Sequence, residues 1–93
     1  MDLTDLKNLL QAQESQQLIY KAVSQLPEKK QAIFWLSRRE GLTHQEIAQR
    51  MNMSVQTVKN NLTDILKYVK IYLSGHSELL AMAFWMQTSY FLF

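Results

Sequence analysis

The sequence predicts an all-α domain with a helix-turn-helix at its centre and an apolar helical tail at its C-terminus. Three observations support this prediction. Along most of the 93 residues, apolar side chains recur at the three- and four-residue spacing of a helix face. Two helix-capping patterns begin eleven residues apart, at Thr43 and Ser54. Two glycines and one proline are too few for a β protein rich in tight turns.

The first part of the chain, residues 1–15, is predicted to be a short amphipathic helix or a linker. Its leucines stand at helical spacing, and they are Leu3, Leu6, Leu9 and Leu10. A second helical stripe follows within residues 16–26. Its apolar members are Leu18, Ile19, Ala22, Val23 and Leu26. We place the break between the two segments near residues 11–16.

Pro27 marks the start of the next helix, because proline fits the first helical position, where its missing N–H is not needed. Glu28 suits the positive end of the helix dipole. The helix is predicted to end at Gly41, since glycine commonly follows a helix C-terminus. The predicted core residues are Ile33, Phe34 and Leu36. Trp35 lies on another side, where we expect neighbouring helices to half-bury it rather than a partner to cover it.

The helix-turn-helix is predicted over residues 43–69. Thr43 and Glu46 have the spacing of a capping box, and Ser54 is the N-cap of a second helix. Asn52 lies where the turn needs a residue that tolerates positive φ, and Ala48 is small enough for a close helix contact. The second helix is therefore a candidate DNA reader.

This candidate reader helix has two faces. The apolar face comprises Val55, Val58, Leu62, Ile65, Leu66 and Val69. The polar face comprises Gln56, Lys59, Asn60, Thr63, Lys67 and Lys70. Gln and Asn can pair with adenine, and Lys can reach guanine or phosphate. The alternative interpretation is an ordinary solvated helix face, and the capping and turn residues favour DNA contact.

The net charge of +2 conceals an uneven distribution along the chain. Residues 17–73 carry nine Lys or Arg against four acids, whereas residues 1–16 and 74–93 are both net negative. The positive charge therefore lies on the candidate DNA-binding segment, as contact with phosphate requires.

The composition does not support an enzyme or a metal-binding protein. The chain has no cysteine, and His44 and His76 are far apart without ligand partners at metal spacing. No nucleophile–base pair, phosphate-binding glycine loop or carboxylate pair is evident. We therefore expect no enzyme activity, no cofactor and no metal. The acidic, amphipathic opening does not resemble a signal peptide, so a cytoplasmic location is expected.

The reader helix is expected to run to about Leu73 and to stop at Gly75. The tail, residues 76–93, is strongly apolar, since twelve of the fifteen residues from Leu79 onward are apolar and none is charged. Fifteen residues are fewer than the ~20 that a membrane span needs. We expect the tail to pack on the domain or on a second copy. The alternatives are docking of a protein partner, a membrane contact and a disordered end.

The segment from residue 17 to residue 73 resembles region 4 of sigma-70-type RNA polymerase sigma factors, especially the extracytoplasmic-function group. The first matching residues are Leu26, Pro27, Glu28, Lys29, Ile33, Phe34, Leu36, Ser37 and Arg38. The later ones are Glu40, Gly41, Leu42, Thr43, Glu46, Ile47, Ala48, Ser54, Val55, Thr57, Val58 and Lys59. The resemblance implies a four-helix domain over residues 16–75 that grips the −35 promoter element and the flap tip of the polymerase β subunit.

The same resemblance implies a set of contact residues. The base contacts would be Gln56, Lys59, Asn60 and Thr63. The phosphate contacts would be Arg39, Thr43, His44 and Lys67. The chain departs from the family at Asn61 and Asp64, where a basic residue is common, and at Asn52, where glycine is common. It is also too short to hold the region that binds the −10 element, so it is either a fragment of a longer factor or a stand-alone region 4.

Two other functions are compatible with the sequence. A LuxR-type output domain would bind a two-fold symmetric site as a dimer, with the apolar tail as its dimer contact. A protein-interaction module would use the tail to hide the reader helix or to recruit a partner such as an anti-sigma factor.

Overall fold

The computed structural model describes residues 12–92, with side chains described as far as Gln87. It contains five helices and, among these residues, no strand, which confirms the all-α class. The helices are α1 Gln13–Ser24, α2 Glu28–Arg38, α3 His44–Met51, α4 Val55–Ser74 and α5 Glu78–Leu92. The amphipathic segment predicted over residues 1–15 falls mostly on residues 1–11, outside the described part of the chain.

The ends of α2 differ in detail from the sequence-based prediction. Pro27 stands at the N-cap with ψ 150°, so Glu28 is the first helical residue. The helix ends at Arg38, earlier than predicted, because the chain leaves it through a wide turn. In that turn the Leu42 N–H donates to the Leu36 carbonyl at 3.1 Å. Gly41 has φ 66°, a conformation that glycine adopts without steric cost.

The central element is α4, which contacts each of the other four helices. Its buried side chains are Val58, Leu62, Ile65, Leu66, Val69 and Leu73. The helices around it bury Ile19, Ala22 and Val23 from α1, Ile33 and Phe34 from α2, and Ile47 and Ala48 from α3. All but one of the predicted apolar positions of the reader helix are therefore in the core, and Val55 is half-buried.

Two aromatic residues, Trp35 and Tyr68, make contacts around the edge of this core. Trp35 is half-buried, as expected, with its ring 4.8 Å from that of Phe34 in an edge-on arrangement. The Tyr68 hydroxyl of α4 donates to Oε1 of Gln25 at 2.8 Å, which links α4 to the turn after α1.

The apolar tail forms α5, which returns along α4 after a turn at residues 75–77. Gly75 caps α4 as expected. The side chains of Ala81, Ala83 and Phe84 are at most 1% exposed, so α5 buries one face against the domain. Its opposite face leaves Met82 largely exposed. None of the described helices is long and apolar enough to cross a bilayer.

Candidate DNA-binding surface

The start of α3 is fixed by reciprocal hydrogen bonds. The Glu46 N–H donates to the Thr43 hydroxyl oxygen at 3.1 Å, and the Thr43 N–H donates to a Glu46 carboxylate oxygen at 3.0 Å. These bonds satisfy two donors that the helix itself leaves unpaired. The bond from the Thr43 N–H holds the pKa of Glu46 below its usual value, with smaller contributions from the Thr43 hydroxyl and from Arg50.

The turn between α3 and α4 has the conformation that the sequence predicted. Asn52 has φ 54° and ψ 52°, the left-handed region. Ser54 caps α4, because its hydroxyl oxygen accepts from the Thr57 N–H at 3.0 Å. A shallow open groove lies at this turn. Its lining residues are Gln45, Ala48, Gln49, Asn52, Met53, Ser54 and Val55.

The exposed face of α4 carries the four predicted base-contact residues. Gln56, Lys59 and Asn60 are exposed, and Thr63 is half-buried. Nε2 of Gln56 donates to Oδ1 of Asn60 at 3.0 Å, so the two amides hold each other one helical turn apart. The Thr63 hydroxyl donates to the Lys59 carbonyl at 2.9 Å, which leaves its oxygen lone pairs to accept from a ligand. These residues span about 10 Å along the helix.

The four predicted phosphate contacts lie on three different elements. Arg39 is exposed at the C-cap of α2, and its Cζ atom is 4.5 Å from the centre of the Trp35 ring. Thr43 and His44 stand at the start of α3, and Lys67 is exposed on α4. The indole supports the Arg39 guanidinium through a cation–π contact and leaves its N–H edge open to solvent.

The side chain of Asp64 turns towards α2. Its Oδ2 atom is 4.0 Å from Nζ of Lys30, and the carboxylate is largely exposed. A pair at this distance in solvent contributes little to stability. The pair matters for DNA contact, because Lys30 partly offsets the negative charge of Asp64, the one acidic residue of α4.

Two further cations are covered by α5. The Cζ atom of Arg38 is 5.0 Å from the centre of the Phe84 ring, and burial lowers the pKa of its guanidinium. Nζ of Lys70 lies 4.7 Å from the centre of the Trp85 ring. Lys70 therefore does not share the open polar face on which the helical wheel placed it.

Sequence reasoning missed Gln45 and Gln49 as candidate contact residues. Both are exposed on α3 and line the groove beside the start of α4. Their spacing of four residues, on the side of the helix away from Ile47, was the available signal. In the part of the chain that the structure describes, no cluster of three His, Asp or Glu side chains forms a potential metal site.

Of the comparisons with known proteins, the one with protein families gives a match, and the match includes the helix-turn-helix. The family described as sigma-70, region 4, matches residues 16–69, more than half of the chain and all of α3 with most of α4. No curated protein and no solved structure gives a significant match. A sigma-70 region 4 is a DNA-binding regulatory domain of a transcription factor rather than a catalytic domain. With its helix-turn-helix, its exposed polar reader face and this match, the chain belongs to the sigma-70 region 4 family.

Proposed function

We propose that this domain recognises the −35 promoter element through α4 and binds the flap tip of the RNA polymerase β subunit during transcription initiation. The observation that carries the proposal is the exposed amide and lysine face of α4. Gln56, Lys59 and Asn60 face solvent while the opposite side of the same helix is buried in the core. A capped, packed helix of this kind can enter the major groove without reorganising.

The hydrogen bond between Gln56 and Asn60 suits the reading of base edges. It uses one donor of Gln56 and one acceptor site of Asn60. Oε1 of Gln56 and the amide hydrogens of Asn60 remain available, which is an acceptor beside donors. Adenine offers the complementary pair in the major groove, with a donor at N6 and an acceptor at N7. Lys59 lies on the same face and suits the acceptors of guanine.

The phosphate contacts that we propose come from three elements. Arg39 follows the end of α2, Thr43 and His44 stand at the start of α3, and Lys67 is about two turns from Lys59 along α4. The Thr43 hydroxyl oxygen accepts from the Glu46 N–H, and its own hydrogen would turn from the Glu46 carboxylate to donate to a phosphate oxygen. Such contacts fix the register of a domain on the duplex and carry no sequence information.

Membership of the family supports the proposed polymerase contact, and we propose a cytoplasmic location with it. Neither an anti-sigma factor nor a second copy of the chain is needed for this role. Both are alternative partners, and the experiment in the next paragraph distinguishes polymerase from a second copy bound to symmetric DNA.

Calorimetry of the full chain with a flap-tip peptide of the β subunit from the same organism tests the polymerase contact. We expect saturable binding with one peptide per chain. A chain that ignores this peptide yet protects a two-fold symmetric DNA site would be a dimeric helix-turn-helix regulator instead.

Selection from a randomised DNA duplex tests the reader face. The full chain, bound to core polymerase, is expected to enrich one short asymmetric sequence. Asn60→Ala should lose the preference at one base pair, whereas the control Gln17→Ala, which removes an exposed amide from α1, should not. Enrichment that is identical for all three proteins would reject α4 as the reader.

A further inference from the structure

The C-terminal helix α5 lies beyond the family match, which ends at residue 69. It nonetheless supplies Ala81, Ala83 and Phe84 to the core. Its most extensive contact is with α4, and its Phe84 reaches Arg38 at the end of α2. Helix α5 therefore covers a groove that is formed by α2 and α4.

Arg38, which is partly buried, is the first sign that α5 does not fully satisfy the groups in this groove. Among the described residues, no carboxylate and no hydrogen-bond acceptor pairs with its guanidinium. The ring of Phe84, 5.0 Å away, is the group that stabilises the charge there. A cation–π contact replaces only part of the hydration that a guanidinium loses on burial. Docking of α5 thus partly desolvates a charge that it does not neutralise.

Gln87 is the second sign. Its side-chain nitrogen is buried without a hydrogen-bond partner in the described structure. A buried amide donor that has no acceptor opposes burial of the helix that carries it. The apolar residues of α5 favour docking, while Arg38 and Gln87 oppose it, so docked and released states of α5 are closer in free energy than for an ordinary core helix.

We propose that α5 is a displaceable occupant of this groove, and that the groove binds a helix of another protein that carries a carboxylate for Arg38. Such a helix would reproduce the apolar contacts of Ala81 and Phe84 and would also neutralise the partly buried guanidinium. An acidic partner is favoured over a neutral one because charge complementarity is what α5 lacks. The inference does not depend on DNA contact.

Hydrogen exchange of the full chain tests the displacement. The amides of α5 are expected to exchange through a local opening that leaves α4 protected. Phe84→Ala should speed their exchange more than about tenfold, because it removes the main buried anchor. The control Met82→Ala, on the exposed face of α5, should leave the rate unchanged. Arg38→Met should slow the exchange, since a neutral side chain docks without the loss of hydration.

Helical peptides test the partner. The scaffold is residues 77–92 with Met82→Lys and Met86→Lys for solubility. Acidic versions carry Leu80→Glu or Gln87→Glu, each one helical turn from Phe84, and the matched neutral versions carry Leu80→Gln or the native Gln87. At least one acidic peptide should bind about tenfold more tightly than its neutral match, as a charge-assisted contact predicts. The peptides should bind more tightly to the Phe84→Ala chain than to the wild-type chain. The Arg38→Met chain should bind the acidic and the neutral peptides equally.

Three results would overturn the proposal. In the first, the amides of α5 and α4 exchange together, so that α5 opens only when the whole domain unfolds. In the second, acidic and neutral peptides bind alike. In the third, sedimentation shows that Phe84→Ala converts the chain to a dimer by exchange of α5, which would make a second copy the occupant.

Discussion

Thr43 and Glu46 bond to each other in both directions at the start of α3, at 3.1 and 3.0 Å. This pair fixes the entry to the helix-turn-helix. Thr43→Ala removes the acceptor for the Glu46 N–H, and we expect it to lower the free energy of unfolding by about 1 kcal/mol. Thermal unfolding should show a fall in Tm of about 4–8 °C for a domain of this size. Ser24→Ala is the control, because that hydroxyl bonds only the Lys21 carbonyl at an exposed helix end. An equal fall in both variants would mean that the cap contributes nothing specific.

The same pair predicts a pH dependence. The pKa of Glu46 is lower in the folded chain than in the unfolded chain, chiefly because its carboxylate accepts from the Thr43 N–H. This stabilisation is fully present above the unfolded pKa of about 4.3 and is lost as the pH falls through the lower folded pKa. Glu46→Gln lacks the titrating group. The difference in Tm between the wild-type chain and Glu46→Gln should therefore narrow as the solution is acidified. A constant difference across the acidic range would contradict the assigned role of the carboxylate.

The left-handed turn at Asn52 gives a prediction about backbone strain. With φ at 54°, any residue that has a Cβ is strained at this position, and asparagine tolerates the strain because its short polar side chain can hydrogen-bond locally, which alanine cannot do. Asn52→Ala is expected to lower the free energy of unfolding in urea by about 1 kcal/mol. Asn52→Gly should differ from wild type by less than that, because relief of strain is offset by a more flexible unfolded chain. Asn60→Ala, at an exposed helical position, is the control and should not destabilise. If alanine and glycine at position 52 behave alike, the turn is not left-handed in solution.

Local signals in the sequence were sufficient to predict the helix-turn-helix. The cap at Thr43, the cap at Ser54 and the positive φ at Asn52 each depend on residues within one turn of chain, and the structure contains all three. The apolar stripe of α4 was equally predictable, because its period reports burial on one side. Pro27 was predicted to be the first residue of α2, but it is the N-cap, and the helix begins at Glu28. Proline fits both positions, so the sequence could not distinguish them.

The environments of Arg38 and Lys70 could not be read from the sequence. Both depend on where α5 docks, and an apolar helix with little amphipathic pattern does not reveal which of its sides faces the domain. Only the folded chain brings Phe84 to Arg38 and Trp85 to Lys70. The hydrogen bond from Tyr68 to Gln25 spans 43 positions and was likewise beyond any local pattern.

The proposed phosphate contact of Lys67 predicts a uniform reduction in DNA affinity. Lys67→Ala should weaken binding to selected and unrelated duplexes by the same factor, because a phosphate is present at every base step. The slope of log K against log salt should become shallower by about 0.9, because the variant neutralises one phosphate fewer. Lys29→Ala removes the same charge from an exposed site in the first turn of α2 and is the matched control. A weakening confined to the selected sequence would instead make Lys67 a base contact.

The bond between Gln56 and Asn60 predicts that their contributions to base recognition are coupled. Asn60→Ala should reduce discrimination at one base pair by about 1–3 kcal/mol, the range for a good bidentate contact. Gln56→Ala should affect the same base pair, because it frees the Asn60 amide to rotate away from the orientation that the 3.0 Å bond imposes. The double variant should therefore lose less discrimination than the sum of the two single variants, as for residues that share one interaction. Competition binding to duplexes that differ at that base pair measures the discrimination of the wild-type chain, the two single variants and the double variant. Strictly additive effects would show that the two amides act on DNA independently, and that their bond in the free protein does not orient the reader face.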